Sequence, residues 1–275
     1  MVAVWGPVGA PGRSTVAVHL ASVLAAGGQD TLLVDADSYG ASVAHLLGIL
    51  DDAPGLAAAC RSSVGGQLRA DVLARIAVTA ADRLRVLTGI PDAARWPEIT
   101  AAGLSSLWPA ARALSAWTVV DTAAVIEEDE ELSYDTRAPR RNMAALSALR
   151  AADEVVVVGR ADPLGLARLI RGLDQLRTAV PGCAPVVVLT GARRSALGPG
   201  FTRSARALLG THAAVHEPVV IPDDRQALDA ALLAGRPAGS KSATVQAMTE
   251  LLARITADSG PAAAPAARRR IVARR

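Results

Sequence analysis

Residues Gly6 to Thr15 read G-P-V-G-A-P-G-R-S-T, between the apolar run Val2-Ala3-Val4-Trp5 and a helical pattern that starts at Arg13 and continues through Leu24. A strand, a glycine-rich loop and a helix in that order form a cradle for phosphate. Backbone N–H groups and the positive end of the helix converge on an anion, and a hydroxyl near the helix start holds Mg²⁺. Ser14 supplies the hydroxyl, followed by Thr15. The phosphate-loop pattern G-x-x-x-x-G-K-[ST] is broken twice, because Pro7 stands at the first glycine and Arg13 at the lysine.

The rest of the chain supports a sheet of buried strands. Apolar runs occur at 2–5, 31–34, 84–88, 117–120, 154–158, 185–189 and 214–221. Helical spacing is clearest at 13–26, 101–115, 142–151, 163–179, 225–234 and 242–257. Glu154-Val155-Val156-Val157-Val158 is apolar at successive positions, as in a strand covered on both faces by helices. The expectation is an α/β fold with a mostly parallel, doubly wound sheet, whose ligands sit beyond the carboxyl ends of the strands. Asp162-Pro163 reads as a helix start. The less periodic stretch 51–83 reads as one short helix and loops leading to an edge strand.

The main domain is expected to span 1–258. An Ala/Pro/Arg-rich tail follows over 259–275, lacking the apolar content to order a core. Five arginines of that tail, Arg268, Arg269, Arg270, Arg274 and Arg275, outweigh the formal net charge of +3, so the remainder is slightly acidic and has no general nucleic-acid signature. No apolar run approaches the about 20 residues that span a bilayer, and the N-terminus lacks the pattern of a secretory signal, so a cytoplasmic location is expected. Cys60 and Cys183 read as small buried residues, and His19, His45, His212 and His216 have no ligand spacing.

Two further strands end in aspartate. Leu32-Leu33-Val34-Asp35-Ala36-Asp37 places two carboxylates at one strand end, and Thr118-Val119-Val120-Asp121 places another. In phosphate-loop NTPases such an aspartate holds magnesium through the metal's water shell. A strand-ending aspartate alone is as often a turn former; three such features in order point to a site.

Together these residues resemble the MinD/ParA superfamily of deviant phosphate-loop ATPases, and within it the CpaE/TadZ-like branch found with pilus assembly. The resemblance runs from Val2 to about Thr256. Where the family reads G-K-G-G-V-G-K-T-T, this chain reads Pro7-Val8-Gly9-Ala10-Pro11-Gly12-Arg13-Ser14-Thr15. The resemblance implies a site for ATP or ADP with Mg²⁺. Gly9, Ala10, Gly12, Arg13, Ser14 and Thr15 would surround phosphate, Ser14, Asp35 and Asp121 would serve the metal, and Asp37 would orient water. Thr190 stands at the position of the adenine-reading asparagine, and Val220-Ile221-Pro222-Asp223-Asp224 is similar to the segment beside the adenine, with Pro222 and Asp223 as contacts. Glu127 to Glu131, followed by Arg137, Arg140 and Arg141, falls in the family's switch region, although a charge run is most often a solvated surface.

The family's signature lysine, which reaches a partner subunit's nucleotide, is replaced by Val8. Arg13 keeps the charge in a larger planar group, and Pro11 has no N–H to donate. Very slow hydrolysis or none is therefore expected. The implied role is a nucleotide switch, acting as a homodimer with protein partners of a polar, septal or pilus assembly. Three rivals stand beside it: a nucleotide-independent scaffold, a DNA-partition protein using the basic tail, and a Rossmann dehydrogenase; separately, the tail is expected to make at most weak contact with nucleic acid or an anionic membrane. The dehydrogenase is disfavoured because Gly6, Gly9 and Gly12 do not make G-x-G-x-x-G. Trp5, beside the loop, is a core residue that can also line it.

Overall fold

The computed structural model describes residues 1–50, 53–63, 67–128, 140–198 and 200–258. The order is β1 (Val2–Trp5), α1 (Arg13–Ala26), β2 (Thr31–Ala36), α2 (Val43–Leu46), α3 (Gly55–Arg61), α4 (Ala70–Ile76), β3 (Val78–Ala81) and β4 (Leu84–Leu87). A 3₁₀ turn over Ala93–Glu98 precedes α5 (Ala101–Leu114), β5 (Trp117–Thr122), α6 (Met143–Ala151), β6 (Glu154–Arg160) and α7 (Pro163–Ala179). The chain continues through β7 (Val186–Ala192), α8 (Arg194–Leu197), α9 (Phe201–Ala213), β8 (Val219–Pro222), α10 (Arg225–Leu233) and α11 (Ala243–Asp258).

Among the described residues eight strands form one sheet in the order β3-β4-β2-β5-β1-β6-β7-β8, parallel except for the antiparallel β3–β4 pair. The doubly wound parallel sheet expected from the apolar runs is present. Alternation of side chains across the strands explains those runs. Val2, Val4, Val156 and Val158 pack on α1 and α11, whereas Ala3, Trp5, Val155 and Val157 pack beneath α6, α7 and α9. Leu32, Val34 and Val120 lie under α3 to α6. Each fully buried valine contributes about 1.5–3 kcal/mol, so both faces of the central strands hold the sheet together.

Several expectations need correction. The stretch 51–83 holds α3, α4 and strand β3, so the edge of the sheet is β3 and not the 84–88 strand. Beyond its first residue, half-buried Val78, β3 reads Thr-Ala-Ala and is exposed, leaving little apolar signal. The last strand is confined to 219–222, and α9 intervenes over 201–213. Trp5 is fully buried and its indole Nε1 donates to the Ala124 carbonyl at 3.0 Å, so it does not line the loop. The acidic run is described only at Glu127 and Glu128; residues 129–131, Arg137 and the tail 259–275 lie outside the described residues. Among the described residues no helix is long and apolar enough to cross a membrane.

Candidate nucleotide site

The glycine-rich loop leaves the carboxyl end of β1 at the centre of the sheet. Gly6 is required by close approach: a Cβ there would collide with the Val158 carbonyl oxygen of β6. A turn follows, with the Ala10 N–H donating to the Pro7 carbonyl at 3.0 Å. Gly12 closes the loop at φ 101°, a left-handed conformation natural only to glycine, and is the cap of α1. As a glycine it offers no side-chain acceptor, and no acidic residue stands in the first turn. Helices α5 and α7 are different, because Thr100 accepts from the Gly103 N–H and Asp162 from the Gly165 N–H. The first-turn donors of α1 therefore remain available to an anion.

Loop residues 9–15 line a cavity of about 660 Å³, completed by Ser42, Leu46 and Arg160. The structure thus brings together Gly9, Ala10, Gly12, Arg13, Ser14 and Thr15. Arg13 folds back on its own loop, where Nη1 donates to the Ala10 carbonyl at 3.2 Å and Nε to the Thr122 carbonyl at 3.3 Å. Its Nη2 lies 3.7 Å from the Asp37 carboxylate.

The three aspartates behave differently. Asp35 Oδ1 accepts from the Asp37 N–H at 3.2 Å, and Oδ2 accepts from Ser42 and Val43 at 2.9 and 3.0 Å. Expected among the metal ligands, it spends both oxygens on the chain after β2. Burial outweighs those bonds and pushes its carboxyl up to about 6. Asp37 Oδ1 accepts from the Tyr39 and Gly40 N–H groups at 2.8 and 3.0 Å, while Oδ2 faces Arg13. Both Asp121 oxygens are buried without a hydrogen-bond partner. Burial, reinforced by the Asp35 charge, raises the Asp121 carboxyl well above the carboxylate range, with Ser14 and Arg13 pulling the other way. Such an orphaned pair of acceptors is costly unless a cation or donor arrives. Among the described residues, no group of three or more His, Cys, Asp or Glu is placed to hold a metal ion unaided. A cation here needs oxygen donors from a ligand as well.

Thr190 of β7 donates its hydroxyl toward the Pro11 carbonyl at 3.0 Å, with the Gly159 carbonyl at 3.2 Å. It ties the loop to the sheet. Pro222 ends β8, and Asp223 lines a second cavity, of about 630 Å³, with Arg193, Ser195 and Gln226 among its walls. Asp223 is 3.1 Å from Arg225 and 3.9 Å from Arg193. His19 is more than an ordinary core histidine. Its Nδ1 lies 2.7 Å from the Thr15 carbonyl and its Nε2 3.0 Å from the Ala238 N–H, which joins the first turn of α1 to the chain before α11.

Sequence reasoning missed Ser42, Leu46 and Arg160 as walls of the loop cavity. Arg160 had a usable signal, since it ends β6 at the carboxyl side of the sheet, where Asp121 is the last residue but one of β5. A clasp beside the site was also not foreseen. Arg141 stacks on Tyr39 at 3.9 Å, Tyr39 Oη donates to Asn142 at 2.7 Å, and the Ser38 hydroxyl donates to the Arg141 carbonyl at 3.0 Å.

A family model of the ParA group, described as the NUBPL iron-transfer P-loop NTPase, matches residues 1–63. A comparison with curated protein sequences gives no match. Among solved structures the chain is similar to the cell division ATPase MinD of Pyrococcus furiosus, at 22% identity, with 93% of this chain and 98% of that one covered and a TM-score of 0.66. A ParA family ATPase from Chlorobium tepidum TLS gives 17% identity, 91% and 97% coverage and a TM-score of 0.73. The septum site-determining protein MinD of Pyrococcus horikoshii OT3, complexed with Mg-ADP, gives 21% identity, 94% and 98% coverage and a TM-score of 0.64.

Proposed function

We propose that this chain, which has the fold of the MinD/ParA P-loop NTPases, is a member of that superfamily and binds a Mg-nucleoside phosphate on the loop 9–15. The observation that carries the reading is Asp121, whose two buried oxygens have no partner directly beneath an α1 N-terminus with no side-chain cap. Both defects are cured by one ligand, an anion bearing a divalent cation. The loop amides and the α1 N-terminus would bind phosphate oxygens, and Ser14, through its hydroxyl, and Asp121, through its carboxylate, would hold the metal. Mg²⁺ would neutralise charge on the phosphate oxygens. Asp37 Oδ2, on the oxygen not tied to Tyr39 and Gly40, orients water. Arg13, already tied to two carbonyls, adds positive charge from a fixed position.

Hydrolysis is slow in this reading, because positioning and charge stabilisation supply nearly all of phosphoryl-transfer catalysis and the loop departs from its pattern at Pro7, Pro11 and Arg13. Asp223 and Pro222 flank the base, with adenine as the base read there. The likeness to a cell division ATPase and a septum site-determining protein supports a role in spatial positioning of an assembly. Within that role we favour the CpaE-like, pilus-associated branch, with nucleotide governing dimerisation and partner binding. Calorimetric titration with Mg-ATP and Mg-ADP tests the reading. Saturable binding that Asp121→Ala and Ser14→Ala both weaken supports it; no binding by folded wild type at millimolar nucleotide sinks it.

A second reading, a scaffold that works without nucleotide, is favoured by one specific observation. Arg13 and Thr190 are both satisfied by the loop's own carbonyls, Ala10 and Pro11, so the loop is held together by internal bonds. The same titration separates the two.

A further inference from the structure

The site residues fall in a line along the carboxyl side of the sheet. In the strand order β2-β5-β1-β6-β7-β8, Asp37 follows β2, Asp121 lies on β5, the loop follows β1, Arg160 ends β6, Thr190 lies on β7 and Asp223 follows β8. Val156, Val158 and Val188 pack against α1 and α11, and the alternation of side chains along a strand puts Arg160 and Thr190 on that same face. The two are register partners. Thr190 is where the loop rests on the sheet: its hydroxyl holds the Pro11 carbonyl, and a Cβ on Gly12 would stand 3.4 Å from its methyl carbon. Arg160 therefore borders the loop where α1 begins, and it lines the loop cavity with residues 9–15.

The two arginines that line this cavity are not equally committed. Every nitrogen of the Arg13 guanidinium has a partner, with Nε and Nη1 donating to the Thr122 and Ala10 carbonyls and Nη2 facing Asp37. Arg160 uses its Nε alone, which donates to Asp162 Oδ2 at 2.7 Å. Asp162 is itself fixed, because its Oδ1 accepts from the Gly165 N–H at 2.7 Å at the start of α7. The stem of Arg160 is covered there as well, since a Cβ on Gly165 would come within 2.7 Å of the Arg160 Cβ. The half-buried guanidinium is thus anchored at one end. Its two terminal nitrogens bond no described residue, so their donors remain open to an anion. Nη1 reaches over the end of β7, 3.9 Å from where a Cβ on Gly191 would stand.

We propose that Arg160 is a phosphate-binding residue of this site, and that it takes the phosphate joined to the sugar, which the diphosphate and the triphosphate of a nucleoside share. The inference rests on the Mg-nucleotide reading above. Asp121 and Asp37 lie on the β5 and β2 side of the loop, where that reading puts the metal and the outer phosphates. Arg160 lies on the opposite side of the loop, on β6, toward the cavity of Asp223. A nucleotide with its base at Asp223 and its metal at Asp121 crosses the sheet from β8 to β5 and carries its first phosphate past Arg160. A guanidinium pinned through Nε can present its two terminal nitrogens as parallel donors to one phosphate. Donors that Arg13 spends on its own loop are in this way supplied from the neighbouring strand.

Calorimetric titration of wild type, Arg160→Gln and Arg160→Lys with Mg-ADP and with the Mg complex of a non-hydrolysable ATP analogue, at low and at high salt, is the test. Circular dichroism checks that each variant is folded. At low salt Arg160→Gln is expected to weaken both nucleotides about tenfold or more, by factors that agree within about twofold, and Arg160→Lys to recover part of the loss. Should the glutamine variant not fold, Arg160→Lys, which keeps a cation against Asp162, carries the same comparison, with a loss of about threefold or more for both nucleotides. Because the contact is one of charge at a half-buried group, wild-type affinity should fall more steeply with salt than that of Arg160→Gln. Undiminished affinity in the variants, a loss confined to the triphosphate, or a loss equally large at both salts overturns the inference and leaves the nucleotide reading intact. A wild type that binds neither nucleotide removes both.

Discussion

Asp35 and Asp121 are register partners on adjacent parallel strands, β2 and β5, and both are closed to solvent at 0% and 1% exposure. In sequence they are the same feature, an apolar run ending in aspartate. In the fold one is saturated by three backbone N–H groups, and the other receives no backbone N–H and has only the Ser14 hydroxyl and the Arg13 charge acting on it. The difference comes from the path of the chain beyond each strand. After β2 the chain turns back at Ser42 and Val43 and offers its amides to Asp35, which makes that carboxylate the organiser of a loop. After β5 no amide among the described residues returns to Asp121. Two buried charges at one sheet edge can thus have opposite purposes, one holding structure and one awaiting a ligand.

The comparison breaks most visibly at Asp35. Asp35→Ala leaves three inward N–H groups without an acceptor and should lower unfolding free energy by about 2–3 kcal/mol, read from denaturant melts. An unchanged midpoint would mean that the loop 37–43 does not depend on that carboxylate. Asp121→Asn should do the reverse for stability while weakening Mg²⁺-dependent nucleotide affinity by about ten- to a hundredfold. Thr190→Val, which removes the bond to the Pro11 carbonyl, should cost about 1 kcal/mol and leave the preference between ATP and GTP unchanged. A changed preference would show that the hydroxyl reads the base.

The pH profile carries effects whose signs are fixed. Asp35 and Asp121 are both raised in the fold, so the stability they contribute is present below the unfolded value of about 3.9 and lost as pH rises through the folded values. For Asp35 that window ends near 6. His19 runs the other way. Burial lowers it, so it is held neutral and stability is lost as pH falls below 6.5. The two signs oppose each other below pH 6.5, so the His19 part is read by difference: the melting temperature of His19→Asn relative to wild type should rise as pH falls below 6.5.

The architecture was readable because its strands are covered on both faces, so Val155 to Val158 carry an unbroken apolar signal. Where packing is partial the signal fails. Strand β3 is mostly exposed, and α9 has Arg203, Arg206 and Thr211 interleaved with its apolar residues. The loop was legible because its chemistry is local, from Gly6 to Thr15. The contrast between Asp35 and Asp121 is not local, since it depends on amides seven and eight residues downstream curling back.

The most direct measurement is the unfolding free energy of wild type and Asp121→Asn at pH 7, each with and without saturating Mg-ATP. A buried carboxylate without a partner costs stability in the free protein and repays it only when the cation is held. The account predicts a crossover, with Asp121→Asn the more stable of the two alone and the less stable with Mg-ATP. An Asn variant already less stable without ligand, or one stabilised by Mg-ATP as much as wild type, would contradict the claim that Asp121 is kept unpaired for a metal-bound nucleotide.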